Sequence, residues 1–156
     1  MPDKNQKTLN TQDVLSMKGS GYYSKRTAGA KNAIDSIREI LERAMLSLSQ
    51  TEILRFADFG AADGGTSQEL WYNLIKLLRS RGDNRAIEII YTDLASNDFS
   101  TLFKNMQGMH GEKDLAYQRI FDNVFVHGCG TGFHQQLLAA GSLSLGFSAT
   151  AMHYVS

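Results

Sequence analysis

The stretch Arg55-Phe-Ala-Asp-Phe-Gly-Ala-Ala-Asp-Gly-Gly-Thr-Ser67 decides the fold of this chain. It consists of a short apolar run, an acid, and then a turn of glycines and small residues. This order predicts a buried strand that passes through a tight loop into the N-terminus of a helix, the place where α/β sheets receive nucleoside cofactors. Gly60, Gly64 and Gly65 allow positive φ and leave no Cβ in the way of a ligand. The alternative is a plain strand, turn and helix without a ligand.

Size and composition predict one domain. The chain has 156 residues, 42% of them hydrophobic, with sixteen basic and sixteen acidic residues and no net charge, so composition favours neither nucleic acid nor a membrane surface as a partner. Cys129 stands alone and can form no internal disulfide, which fits a reducing compartment. The N-terminus lacks the apolar core of a signal peptide, and no apolar run is long enough for a membrane span. We therefore expect a soluble, cytoplasmic protein.

Hydrophobic periodicity predicts alternating helices and strands along the chain. Residues 1–13 are polar and predict a flexible arm, whereas residues 14–156 predict a single domain. The predicted elements are a helix at 32–48, the opening strand, a helix at 68–81 capped by Thr66 or Ser67 with Trp71 in the core, a strand at 86–92, a helix at 97–106, a strand at 121–127, a short helical stretch around Leu137 and Leu138, and a strand at 142–147. Such alternation is typical of an α/β fold with a parallel sheet covered on both faces.

The predicted strands number little more than one of the two halves of a doubly wound nucleotide-binding sheet. The fold class is thus α/β, a Rossmann-like sheet of which the N-terminal half to two-thirds is present. If the fourth strand lies at an edge, another chain or a C-terminal continuation is expected to cover its open hydrogen-bonding groups.

The acids near the first loop indicate which cofactor it suits. Asp93 ends the second predicted strand, where an acid binds the ribose of a nucleoside cofactor or caps the next turn. The spacing Asp58-x-Gly60-x-x-x-Gly64-Gly65 differs from the dinucleotide pattern Gly-x-Gly-x-x-Gly. Asp63 inside the loop would repel a pyrophosphate, and a cofactor with a cationic or zwitterionic head, such as S-adenosylmethionine, suits it better.

Other patterns give weaker signals. His127-x-Cys129-x-x-x-x-His134 holds zinc-ligand side chains, but only three of them at a spacing that matches no common structural zinc site, so a buried cysteine with loop histidines is favoured and no metal is predicted. Ser148 and His153 are nucleophile and base types, yet no Gly-x-Ser-x-Gly motif surrounds the serine.

Four parts of the chain together resemble the SABATH family of S-adenosylmethionine-dependent methyltransferases. They are Met17-Lys-Gly-Ser-Gly-Tyr-Tyr-Ser24, Ala57-Asp-Phe-Gly-Ala-Ala-Asp-Gly-Gly-Thr66, Thr92-Asp-Leu-Ala-Ser-Asn-Asp-Phe-Ser100, and Thr131-Gly-Phe-His-Gln-Gln-Leu-Leu138 with Ser148-Ala-Thr-Ala-Met-His-Tyr-Val-Ser156. They follow the order and spacing of the family's motifs. The resemblance implies methyl transfer to the carboxylate of a small acid, or to a xanthine nitrogen.

The resemblance also implies roles for individual residues. On the cofactor side these are Tyr23 and Thr27 at the methionine end, Asp58 and Gly60 in the first loop, Asp93 and Leu94 at the ribose and adenine, and Gly132 and Phe133 against the adenine. On the acceptor side they are Thr150, His153 and Tyr154, with Lys18 at the border of the pocket. The chain departs from the family where a glutamine and a tryptophan hold the acceptor carboxylate, since Ala30 and Tyr154 stand there.

The implied reaction needs no catalytic acid or base, because a carboxylate with a pKa of roughly 4 is ionised at pH 7. The enzyme would hold oxygen, methyl carbon and sulfur in line. His153 then orients the acceptor, or acts as a base for a phenol or a nitrogen. Two alternatives stay open: a truncated or non-catalytic relative that a partner completes, and a dehydrogenase half-domain that binds a nicotinamide cofactor. Expected partners are a small-molecule acceptor and either a second copy of the chain or a missing C-terminal region.

Overall fold

The computed structural model describes residues 28–48, 50–132, 134–149 and 151. The predicted arm at residues 1–13 lies outside this part of the chain. In order, the elements are α1 (Ala28–Leu46), β1 (Ile53–Phe59), α2 (Gln68–Ser80), β2 (Ala86–Asp93), α3 (Phe99–Met106), a 3₁₀ turn (Lys113–Leu115), α4 (Tyr117–Ile120), β3 (Val124–Gly130) and β4 (Leu145–Phe147). No helix among them is long and apolar enough to cross a membrane.

The described strands form one parallel sheet in the order β3-β2-β1-β4. This confirms the predicted α/β class and places β4 at an edge. Phe59 at the end of β1 pairs with Thr92 near the end of β2, and Asp93 pairs with Gly130 at the end of β3. Because the strands are parallel and in this register, the loops that follow β1, β2 and β3 meet at one edge of the sheet.

The core lies between the helices and one face of the sheet. This face carries the fully buried side chains of Leu54, Phe56, Ile87, Ile89 and Tyr91. Trp71 of α2 is also fully buried, as predicted, and its ring stacks on that of Phe56 with the ring centroids 5.8 Å apart.

The opposite face of the sheet is more open. On it Ile53 and Phe125 are 37% and 47% exposed, and Arg55 pairs with Glu88 across β1 and β2. The helices that the structure describes pack on the other face, so the prediction of helices on both faces is wrong for this part of the chain.

The segment between β3 and β4 is where a helix on this second face was predicted. The helical stretch predicted around Leu137 and Leu138 does not form, because residues 134–144, all described, contain no helix. Gly141 has a φ of 71° and turns the chain back. The stretch from His134 to this turn is too short for a helix to be stable without packing.

Several element boundaries differ from the prediction: α1 begins at Ala28 instead of Asn32, β4 begins at Leu145 instead of Ser142, and two further shifts have a local cause. The strand β3 begins at Val124 instead of Phe121, because Asn123 takes a φ of 60° and separates it from α4, a turn of helix that the sequence did not indicate. The helix α3 begins at Phe99, since Asp98 caps it by accepting a hydrogen bond from the Thr101 N–H.

Candidate functional site

The loop after β1, residues 60–67, lies on the end of β2. The N–H groups of Gly60 and Ala61 both donate to the carbonyl oxygen of Thr92, at 2.9 and 3.1 Å. Gly60 and Gly64 take φ values of 75° and 71°, as the sequence predicted. These bonds fix the first two residues of the loop on the end of β2.

Asp58 is the most buried acid at this edge, with 3% of its surface exposed. Its Oδ2 accepts hydrogen bonds from the Ser67 hydroxyl at 2.5 Å and from the indole Nε1 of Trp71 at 3.1 Å. Sequence reasoning gave Ser67 a capping role, but the residue has helical φ and ψ, and within the described residues its side chain makes no capping bond. The prediction of a capping hydroxyl is therefore wrong for Ser67, because its backbone is already helical and its hydroxyl is directed to the carboxylate of Asp58 instead of to the N–H groups of the first helical turn.

Burial raises the pKa of Asp58 from 3.8 to about 6. The hydrogen bonds from Ser67 and Trp71 oppose the shift because they favour the ionised form, and the charge of Asp93 adds to it. Asp58 therefore titrates in the weakly acidic range, and Asp58 and Asp93 lie close enough to interact electrostatically.

Asp63 is turned back into its own loop. Its side chain is 6% exposed, and Oδ1 accepts a hydrogen bond from the Gly65 N–H at 3.1 Å. Its carbonyl oxygen accepts a bond from the side-chain amide of Asn105 at 2.9 Å. The acid thus shapes the loop from within, and its predicted role toward the cofactor stays a prediction.

Asp93 connects the first loop to the end of β2. Its Oδ2 accepts a hydrogen bond from the Ala62 N–H and its Oδ1 one from the Leu94 N–H, both at 2.7 Å. The second bond fits the turn-capping alternative that the sequence left open. A carboxylate has about four acceptor positions, so these two bonds still allow ribose hydroxyls to donate to it.

Leu94 and Gly132, both assigned to the adenine, come together in the structure. Leu94 is 40% exposed, and a Cβ placed on Gly132 would lie 3.5 Å from its Cδ2. An exposed leucine beside a glycine leaves an apolar surface of the kind on which a flat base packs. The remaining predicted site residues lie outside the described residues: Lys18, Tyr23, Thr27, Phe133, Thr150, His153 and Tyr154.

The histidines and the cysteine near β3 do not form a metal centre. His127 and His134 are exposed and Cys129 is half-buried. In the ranges that the structure describes, no group of three or more His, Cys, Asp and Glu side chains is placed to hold a metal ion.

The sequence did not indicate some residues that build the site. The side-chain amides of Asn97 and Asn105 donate to the carbonyl oxygens of Ala62 and Asp63, at 2.7 and 2.9 Å. Asn97 stands directly before the capping residue of α3, at the carboxyl end of β2. A polar residue after a strand indicates that its side chain lies near the other loops at the carboxyl ends of the strands. The sequence does not indicate which loop it contacts, because that depends on tertiary packing.

The first loop of this parallel sheet is fixed over the ends of β1 and β2, and buried acids lie beside it. This arrangement is typical of α/β domains that bind nucleoside cofactors. The model of a family described as SAM-dependent carboxyl methyltransferase matches residues 11–156. The chain belongs to this family, which confirms the resemblance drawn from its motifs.

Curated relatives come from fungi and plants. The chain is 27% identical to methyltransferase FUS9 of Gibberella moniliformis, over 89% of this chain and 38% of the relative. It is 28% identical to a probable S-adenosylmethionine-dependent methyltransferase of Arabidopsis thaliana, over 88% and 40%. It is 24% identical to the salicylate/benzoate carboxyl methyltransferase of the same plant, over 88% and 38%. The chain thus spans about two fifths of the length of these relatives.

A solved structure shares the fold. Loganic acid methyltransferase with SAH superposes with a TM-score of 0.69 at 19% identity, over 88% of this chain and 40% of that one. This likeness confirms the Rossmann-like methyltransferase fold of the described part.

Proposed function

We propose that this protein is an S-adenosylmethionine-dependent methyltransferase that methylates the carboxylate oxygen of a small molecule. The observation that carries the proposal is a set of three acids at the carboxyl edge of the sheet, Asp58, Asp63 and Asp93, with exposed fractions of 3%, 6% and 5%. Family membership supports the same cofactor, and the family's description supports a carboxylate acceptor.

These acids fit the cofactor better than a dinucleotide. A pyrophosphate beside buried carboxylates would be repelled, whereas a cofactor with an ammonium group, a sulfonium and ribose hydroxyls offers positive charge and donors. We assign Asp93 to the ribose, and Leu94 with Gly132 to the adenine; the contact between Leu94 and Gly132 supports the second assignment. Asp58 lies deeper, where its charge acts on the loop as a whole.

When bound, S-adenosylmethionine supplies a methyl group activated by its sulfonium charge. The protein's contribution is to hold the acceptor in orientation and to exclude water, and such positioning contributes several kcal/mol to rate enhancement. A carboxylate is ionised at neutral pH, so no residue of the chain has to remove a proton. We assign acceptor binding to Lys18, Thr150, His153 and Tyr154, whose motif positions border the acceptor in the family resemblance.

Transfer of a labelled methyl group tests this function. With benzoate as acceptor, we expect the label in a methyl ester, which mild alkali hydrolyses, and no label in benzyl alcohol, which has the same ring but no carboxylate. The rate at saturating cofactor should stay flat between about pH 7 and pH 9, because the acceptor stays ionised and Asp58, with a pKa of about 6, has lost its proton.

An alkali-stable product would contradict carboxylate methylation, since methyl ethers and N-methyl groups survive this treatment. A rate that rises with pH would contradict transfer without a base. In the variant His153→Gln, we expect a higher KM for the acceptor and an unchanged pH profile if His153 only orients the acceptor.

A further inference from the structure

Ala62, at the centre of the loop, has a left-handed backbone conformation. Its φ is 51°, a region that residues other than glycine, asparagine and aspartate rarely occupy. Such conformations persist where surrounding contacts hold them, and they cluster at ligand sites. The contacts that hold Ala62 are therefore part of what shapes the loop.

Both peptide groups next to Ala62 are bound by side chains from the end of β2 and the turn that follows it. Its N–H donates to Oδ2 of Asp93 at 2.7 Å, and its carbonyl oxygen accepts from Nδ2 of Asn97 at 2.7 Å. The carbonyl has no proton to give, so the bond requires the amide nitrogen of Asn97 on this side. A carboxylate and an amide from one turn thus hold Ala62 from two directions.

Asn97 is itself firmly placed. Its N–H donates to the carbonyl oxygen of Leu94 at 2.9 Å, and its carbonyl oxygen accepts from the Phe99 N–H at 2.9 Å. Asp98, which lies between Asn97 and Phe99, caps α3. The side chain of Asn97 is therefore held by a short, hydrogen-bonded turn at the start of a helix.

We propose that Asn97 is a positioning residue of the cofactor site, which keeps Ala62 left-handed and so fixes the course of the loop between Gly60 and Gly64. This rests on the proposed function, because the loop is taken as the cofactor's binding loop. Asn97 acts through Ala62. Without its amide, Ala62 relaxes toward negative φ, and the loop no longer meets Asp93 in the geometry described.

The test compares three variants of the full chain by calorimetric titration with S-adenosylhomocysteine. Asn97→Ala should weaken binding about tenfold or more. Adding Ala62→Gly should recover part of that loss, because glycine takes positive φ without the amide's help. Asn123→Gly is the control. Asn123 also has a positive φ, of 60°, and its side-chain amide donates a hydrogen bond to the carbonyl oxygen of Asn84 at the amino end of β3. Loss of this hydrogen bond should leave binding of S-adenosylhomocysteine unchanged.

A second measurement needs no ligand. Hydrogen exchange followed by mass spectrometry should show faster exchange in residues 60–67 of the Asn97→Ala variant, with the amides of β1 and β2 as protected as before. Equal exchange across the loop in variant and wild type would overturn the proposal.

The outcomes also separate this inference from the proposed function. If the wild type does not bind S-adenosylhomocysteine, both are overturned. If the wild type binds and Asn97→Ala binds equally well, the proposed function stands and the inference is overturned. If Asn97→Ala binds weakly and Ala62→Gly recovers nothing, Asn97 does not act through the left-handed conformation, which overturns the inference as well.

Discussion

Replacing Gly64 with alanine is expected to destabilise the protein by about 2–4 kcal/mol. Gly64 has a φ of 71°, and a left-handed conformation costs an alanine about 1–2 kcal/mol. Its new Cβ would also lie 3.0 Å from Cε of Met106 and 3.4 Å from Cγ of Leu102, both fully buried. The methionine tip moves more easily than a branched side chain, so crowding adds about 1–2 kcal/mol.

Gly141→Ala is the matched control for this prediction. Gly141 also has a φ of 71°, but a Cβ there meets no described atom within 4 Å. Urea denaturation should show a loss of about 1–2 kcal/mol for Gly141→Ala and a clearly larger one for Gly64→Ala. Equal losses would mean that the loop does not pack against α3 as described.

Asp58→Asn is expected to stabilise the protein at neutral pH. The pKa of Asp58 is about 6 in the folded protein against 3.8 for the free side chain, so the folded state binds more protons between these values. Stability then falls as pH rises from about 4 to about 6, by up to about 3 kcal/mol, and is constant above that. Asparagine keeps a carbonyl oxygen for the hydrogen bonds from Ser67 and Trp71, but it has no charge to bury.

Chemical denaturation at pH 4, 5, 6 and 7 measures this effect. The advantage of Asp58→Asn over the wild type should be absent near pH 4 and grow toward pH 7. Asp83→Asn is the control with the opposite sign, since the hydrogen bonds from Arg85 lower the pKa of Asp83. The stability that ionised Asp83 contributes is present above its unfolded pKa and is lost as pH falls. The wild type should therefore be more stable than Asp83→Asn at neutral pH, and this difference should shrink toward acidic pH. An Asp58→Asn profile parallel to the wild type would contradict the buried, weakly acidic carboxyl.

The cost of burying Asp58 fits the proposed site. Functional sites often contain groups that lower the free energy of unfolding because ligand binding requires them. We therefore expect Asp58→Asn to bind S-adenosylhomocysteine more weakly while folding more stably. An asparagine variant that folds more stably and binds S-adenosylhomocysteine as tightly as the wild type would indicate that Asp58 has no role in binding.

Local sequence predicted the elements that the sheet depends on. The apolar run ending at Phe59, the positive-φ glycines Gly60 and Gly64, and the branched residues of β2 carry their structural preferences within a few residues, and they appear as expected, whereas Gly65 does not take a positive φ. The acids Asp58, Asp63 and Asp93 were named from their positions next to these elements. The structure places them all at the same edge of the sheet.

Tertiary contacts decided the rest. Ser67 and Trp71 meet Asp58 only once α2 packs on the sheet, and this contact overrides the capping preference of a serine at a helix start. The left-handed Ala62 depends on Asn97, which is 35 residues further along the chain. The stretch around Leu137 is too short for a helix to be stable by itself, so the helix predicted there does not form.

Calorimetric titration of the chain with S-adenosylhomocysteine, and separately with a nicotinamide dinucleotide, tests the central claim most directly. The claim is that the loop after β1 and the acids around it bind S-adenosylmethionine. We predict saturable binding of one S-adenosylhomocysteine per chain and no heat of binding with the dinucleotide. Absence of binding at millimolar S-adenosylhomocysteine, or tighter binding of the dinucleotide, would contradict it.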